Sequence, residues 1–223
     1  MSTLEVLEKG MSTYCESGMG LFYTQPINTI SNIALLIAAY FAYQLIKTNN
    51  INNRTIKILP LILAVTGIGS MFWHGMPNLL TNFADTLPLS AFVLVSLFFL
   101  LDKLMKKRRF VWQILLAFIL VEAPFIFHIL PSLNGFLPYL IVLVFGVFVF
   151  YGLIKKYKTL TSDLAIIIAL FAIAFIFRTI DYTVCPVLSM GTHFIWHILN
   201  ALVLYLLIRL FVVMDRVDSN VKS

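Results

Sequence analysis

The stretch Phe136-Leu-Pro-Tyr-Leu-Ile-Val-Leu-Val-Phe-Gly-Val-Phe-Val-Phe-Tyr-Gly-Leu-Ile154 contains no charged side chain and ends against Lys155 and Lys156. A helix of about 20 apolar residues crosses the hydrocarbon layer of a bilayer, so this stretch reads as one membrane span. The same pattern recurs at Ile27–Ile46, Ile56–His74, Phe83–Leu101, Phe110–Phe127, Leu164–Ile180 and His193–Met214. Asn49–Asn53, Pro77–Asn78 and Asn134–Gly135 supply turn signals between spans, and Lys103–Arg109 and Lys155–Lys158 supply charge runs. There is no internal repeat and no low-complexity segment. The expected fold class is an all-α membrane protein, a seven-transmembrane helix bundle. Residues 1–26 form an N-terminal extramembrane segment, 27–214 the membrane domain and 215–223 a cytoplasmic tail. The first 26 residues lack a signal-peptide apolar core and are expected to stay on the mature protein.

Composition agrees. The chain of 223 residues is 61% hydrophobic and 12% charged, with a mean hydropathy of +0.95. Soluble domains carry about 25% charged residues, so a water-soluble enzyme, a disordered tail and a secreted disulfide scaffold are excluded. The net charge of +6 suggests a nucleic-acid partner only until the basic residues are placed. Of 16 Lys and Arg, only Lys9 and Arg178 fall on one side of the bundle; the other fourteen share the opposite side. Positive residues mark the cytoplasmic face, so the N-terminus is expected outside and the C-terminus in the cytoplasm. No nucleic-acid site is read into the basic runs.

Cys15, in the N-terminal segment, and Cys185, between the last two spans, both fall on the outer side. An oxidising exterior permits a disulfide there. Two unrelated thiols fit the spacing equally well, because sequence separation does not show proximity.

The four histidines, His74, His128, His193 and His197, all sit near the outer ends of spans. His193 and His197 are four apart, so their rings share one helix face, the spacing with which one helix offers two imidazoles to one metal. His74 ends its span at the same depth and adds a third. Three imidazoles with a fourth position open describe a catalytic zinc site, which lowers the pKa of bound water to about 7. Any one of these histidines alone is better read as interfacial; the convergence of three favours the metal.

Ser70 lies one helical turn before His74 on the same face, and Asp85 begins the third span across the short outer loop Gly75–Ala84. A carboxylate there can act as general base, and a hydroxyl can donate to a developing oxyanion. Taken singly, Ser70 is a helix-packing residue and Asp85 a helix cap. Arg178 and Asp181, three apart, read as an ion pair. Glu122, two residues before Pro124, is the oddest charge in the chain because an acid inside a bilayer is costly and usually functional. It reads as neutral or hydrogen-bonded in the cavity, with a substrate-facing role as the alternative. His128 reads as interfacial.

Gly67-Ile-Gly-Ser-Met-Phe-Trp-His74, Asp85-Thr-Leu-Pro88 and Gly191-Thr-His-Phe-Ile-Trp-His197 together resemble the alkaline ceramidases, seven-helix zinc amidohydrolases related to progestin and adipoQ receptors. Tyr14-Cys-Glu16 with Asn28-Thr-Ile-Ser-Asn32 is similar to that family's opening signature, and Phe177-Arg-Thr-Ile-Asp181 with Cys185 to the end of its sixth helix. The resemblance spans residues from about 14 to about 205. It implies zinc on His74, His193 and His197, Ser70 and Asp85 as catalytic residues, and a Cys15–Cys185 disulfide. It further implies attack of a zinc-activated water on the amide of a ceramide or other N-acyl lipid, releasing a fatty acid and an amine. Calcium, which takes several carboxylate or carbonyl oxygens, is not expected: only Glu16 is acidic in the opening signature, and Thr13, Gly18 and Gln25 stand where the family places stronger ligands. Thr86 replaces an acidic residue after the aspartate. The chain looks like a compact bacterial-type member of the cytoplasmic membrane, with its site near the outer face.

The competing reading is a receptor-like or signalling protein with a structural zinc, for which Asp85 would be a fourth ligand. A retinal pump needs a lysine in the last span, and His193–Met214 has none. A transporter would show broken or repeated helices.

Overall fold

The computed structural model describes residues 14–16, 24–130, 132–133 and 135–222. Seven helices are long and apolar enough to cross a membrane, and no strand occurs among the described residues. In chain order they are α1 (Pro26–Thr48), α2 (Arg54–Gly75), α3 (Leu79–Leu104), α4 (Arg108–Ile126), α5 (Phe136–Lys156), α6 (Thr161–Ile180) and α7 (His193–Lys222). Helices satisfy their backbone polar groups internally, which a bilayer core demands. Most of the N-terminal segment, with Lys9, Thr13 and Gly18, lies outside the described residues, as do Pro131 and Asn134.

Local signals set the helix ends. Pro26 opens α1, where a missing N–H costs nothing. Asn53 caps α2 by accepting from the Thr55 N–H at 3.0 Å. Asn78 and Thr81 form a reciprocal capping box on α3. This box corrects one expectation: α3 starts at Leu79 rather than Phe83, so Asp85 lies in its second turn, and Asn78 is the cap.

The other end of α7 holds a second correction. Residues 215–222 are no separate tail but the last turns of the helix. Asp215 accepts from Asn53 at 3.0 Å, Asp218 takes Lys103 and the Tyr157 hydroxyl, and Arg216 donates to Asn49 at 2.7 Å.

The bundle has two unlike halves. Toward the lysine-rich connections, a continuous core joins α1 to α7 through Leu59, Phe92, Leu153, Ile208 and Phe211, all essentially solvent-free. Toward the other end the apolar cluster shrinks to Ala174, Phe175 and Trp196, and buried polar residues replace it. Large apolar side chains such as Leu61, Leu120 and Phe148 point outward, as expected of a surface facing lipid tails.

Two glycines of α2 bring the helices together. A Cβ on Gly67 would meet the Leu35 Cβ of α1 at 3.0 Å, and one on Gly69 would meet the Ala84 carbonyl oxygen of α3 at 1.9 Å. Small residues permit such close backbone approach in membrane bundles. Pro88 has no N–H to offer the Ala84 carbonyl four residues earlier, which loosens the α3 turn where Gly69 packs.

Candidate metal centre and cavity

His74, from the last turn of α2, and His193 and His197, from the first turns of α7, converge. Their ring centroids are 4.5 to 5.1 Å apart, and one ligand nitrogen from each lies within 4.8 Å of the others. All three are buried, at 1%, 2% and 4% exposure. The cluster of three does not include Asp85.

The surroundings fix which nitrogens face inward. The Gln25 carboxamide oxygen accepts from His74 Nδ1, which places the proton there and leaves Nε2 as the lone pair. Ser31 donates its hydroxyl to the Asn28 carbonyl at 2.8 Å and accepts from His197 Nδ1 at 2.7 Å, with the same result. Metal-binding histidines characteristically donate their other N–H in this way. His193 Nδ1 is buried without a hydrogen-bond partner, a costly state for a polar atom unless a ligand completes it. The donor set therefore fits a metal ion, and neutral imidazoles suit zinc.

The start of α7 is held by Asp181. Its carboxylate accepts from the backbone N–H groups of Thr192 at 2.6 Å, His193 at 2.8 Å and Cys15 at 3.0 Å. The spacing of Arg178 and Asp181 suggested an ion pair; the contacts this carboxylate makes are a helix cap, because two orphan N–H groups at the buried start of α7 need an acceptor, with the Cys15 N–H as a third donor. Gly191 lies against this carboxylate with φ of 65°, and a Cβ there would meet Asp181 Oδ1 at 2.1 Å. Cys15 and Cys185 form a disulfide, their Cα atoms 5.2 Å apart, tying the N-terminal segment to the α6–α7 connection beside the histidines.

Tyr14 follows, with its ring 4.1 Å from His193 and 5.1 Å from His74. Burial pushes its phenol above the ordinary value, so it stays neutral. Glu16 accepts from the Ile27 and Asn28 N–H groups at 2.7 and 2.8 Å, capping α1. Glu16 and Gln25, positions compared above with calcium ligands, are therefore occupied as a helix cap and as the partner of His74.

Ser70 and Asp85 come from α2 and α3, which pack closely at Gly69 and Ala84. Both line a cavity of about 950 Å³ that also reaches His193, His197, Glu122 and Arg178. Arg178 is buried, its guanidinium 4.7 Å from the Tyr139 ring centre and 6.0 Å from that of Trp196. An apolar pocket of about 120 Å³ lies alongside, sharing Leu89, Val93, Tyr139, Val142 and Asn200 with the cavity. His128 is exposed at the rim and pairs with Asn82 at 3.0 Å, matching its interfacial reading.

Sequence reasoning missed the supporting residues: Ser31, Gln25 as the His74 partner, Asp181 as a cap, Tyr14, and Arg178 as a wall of the cavity. Ser31 stood inside Asn28–Asn32, but only its contact with α7 reveals the role.

No curated protein sequence matches the chain. The family model described as Ceramidase matches residues 13–223, a span that includes all seven helices, the three clustered histidines, Ser70, Asp85 and both cysteines. The chain therefore belongs to the ceramidase family, which implies a membrane-embedded hydrolase of amide bonds in lipids.

Proposed function

We propose that the protein is a zinc-dependent amidohydrolase that cleaves the amide of a ceramide or related N-acyl lipid. The observation that carries this reading is that one cavity is lined by Ser70, Asp85 and two members of the histidine cluster, His193 and His197. His74, His193 and His197 would hold the ion. Bound zinc supplies a water with pKa near 7 and polarises the scissile carbonyl.

The remaining steps belong to the chain. Asp85 accepts a proton from the attacking water as the new C–O bond forms. Ser70, lining the same cavity, donates its hydroxyl to the carbonyl oxygen as its charge grows. Asp85 then passes the proton to the amide nitrogen as the C–N bond breaks, leaving a fatty acid and an amine. The apolar pocket bounded by Phe92, Leu97 and Phe150 suits an acyl chain, and the absence of Asp85 from the cluster favours a hydrolytic over a four-ligand structural site.

The histidine end faces the exterior in this reading. The one-sided distribution of Lys and Arg supports that orientation, and the disulfide, which persists in oxidising compartments, supports it independently.

Fatty-acid release from a ceramide by detergent-purified protein tests the function. Asp85→Asn should lower the rate by about 10²- to 10⁴-fold with metal content unchanged. A variant as active as the parent would remove Asp85 from the chemistry.

A further inference from the structure

Three acidic residues are buried at the histidine end, and two of them are matched. Glu16 and Asp181 accept backbone N–H groups. Glu122 is the exception. It is 6% exposed on α4, and its Oε1 has no hydrogen-bond partner among the described residues. No lysine or arginine pairs with it in the ion pairs of the described residues.

Leaving such an oxygen unpartnered within a membrane span is costly, and retained acids of this kind mark ligand contacts. Glu122 lines the same cavity as Asp85, His193 and His197, on the wall formed by Phe118, Ile119, Ala123 and Ile126. It does not line the apolar pocket that lies alongside the cavity. A lipid amide whose acyl chain follows that pocket therefore presents its other half, the amine-bearing one, toward Glu122.

We propose that Glu122 is the residue that selects the headgroup, its free carboxylate oxygen accepting a hydrogen bond from a hydroxyl on the amine half of the lipid. The inference rests on the amidohydrolase reading for the placement of the amide, and it narrows the substrate class to N-acyl lipids hydroxylated close to the amide nitrogen. A plain N-alkyl fatty amide leaves Glu122 as it is in the empty cavity, with a buried acceptor unmatched. Discrimination by a site built to bond a hydroxyl is strong for that reason.

The test compares two ligands on the full-length protein in detergent: a ceramide, and the same lipid with its hydroxyl groups replaced by hydrogen. Binding is read as ligand-dependent thermal stabilisation, and fatty-acid release is followed in parallel. The ceramide should bind the parent protein about tenfold more tightly, as expected where a buried acceptor is otherwise left unmatched. Glu122→Leu should close that gap, and Glu122→Gln, which keeps an acceptor oxygen, should retain most of it.

Equal binding of the two lipids by the parent protein would overturn the inference without recourse to any variant. So would an undiminished gap in Glu122→Leu, or loss of the gap in Glu122→Gln, which would show that an acceptor oxygen at this position is not what reads the hydroxyl. Release of fatty acid without a binding gap leaves the hydrolase reading intact and removes this inference. A gap without release does the reverse.

Discussion

The two halves of this bundle solve the membrane problem in opposite ways. The lysine-rich half is filled: Phe99 and Phe211 stack with ring centres 4.5 Å apart inside a continuous apolar core, and its charges pair at the rim, where side chains keep 16% to 73% exposure. The histidine half is hollow, and many of its buried polar groups are matched across the chain, with His193 Nδ1 and Glu122 Oε1 among the exceptions. Asp181 holds the start of α7, Glu16 the start of α1, and Gln25 and Ser31 two of the histidines. Packing supplies stability in the first half and leaves room for chemistry in the second. The difference teaches that buried polarity here is concentrated around the cavity and the histidines.

Variants can separate the halves. Phe211→Ala should have the largest effect on stability, about 3–5 kcal/mol, seen as a lower unfolding midpoint in detergent, with metal content and rate per folded molecule preserved. Loss of metal in that variant would mean that the halves are not independent. Asp181→Ala should cost less, about 1–3 kcal/mol for the buried N–H groups it orphans. It should also weaken metal retention, because His193 is the first residue of the helix it caps; unchanged retention under a chelator would show that the cap does not position the ligand. Asp163→Ala, which breaks an exposed pair with Arg209 at 3.3 Å, should change stability by less than about 0.5 kcal/mol and activity not at all.

These contrasts also explain what the sequence could reveal. The seven spans were legible because hydropathy is a local property, each written in its own 20 or so residues. The His193–His197 pair was legible because four residues make one helical turn, and Ser70–His74 for the same reason. The start of α3 was misjudged because hydropathy rises only at Phe83, whereas the capping box of Asn78 and Thr81 acts one turn earlier. The Arg178–Asp181 spacing was a true helical neighbour relation, yet it does not reveal that the carboxylate accepts from N–H groups of Thr192, His193 and Cys15. Gly69 and Ser31 act through contacts with α3 and α7, at sequence distances that no local pattern encodes. Glu122 was visible as an anomaly from the start; only the cavity shows what it faces.

The central claim is that His74, His193 and His197 form one metal site, and metal analysis of the detergent-purified protein beside a His193→Ala, His197→Ala double variant addresses it most directly. The expected result is about one zinc per chain in the parent protein, as a three-histidine site requires, and background metal in the variant. Metal at background in both, or equally present in both, would contradict the site and leave the buried histidines without the ligand that their geometry implies.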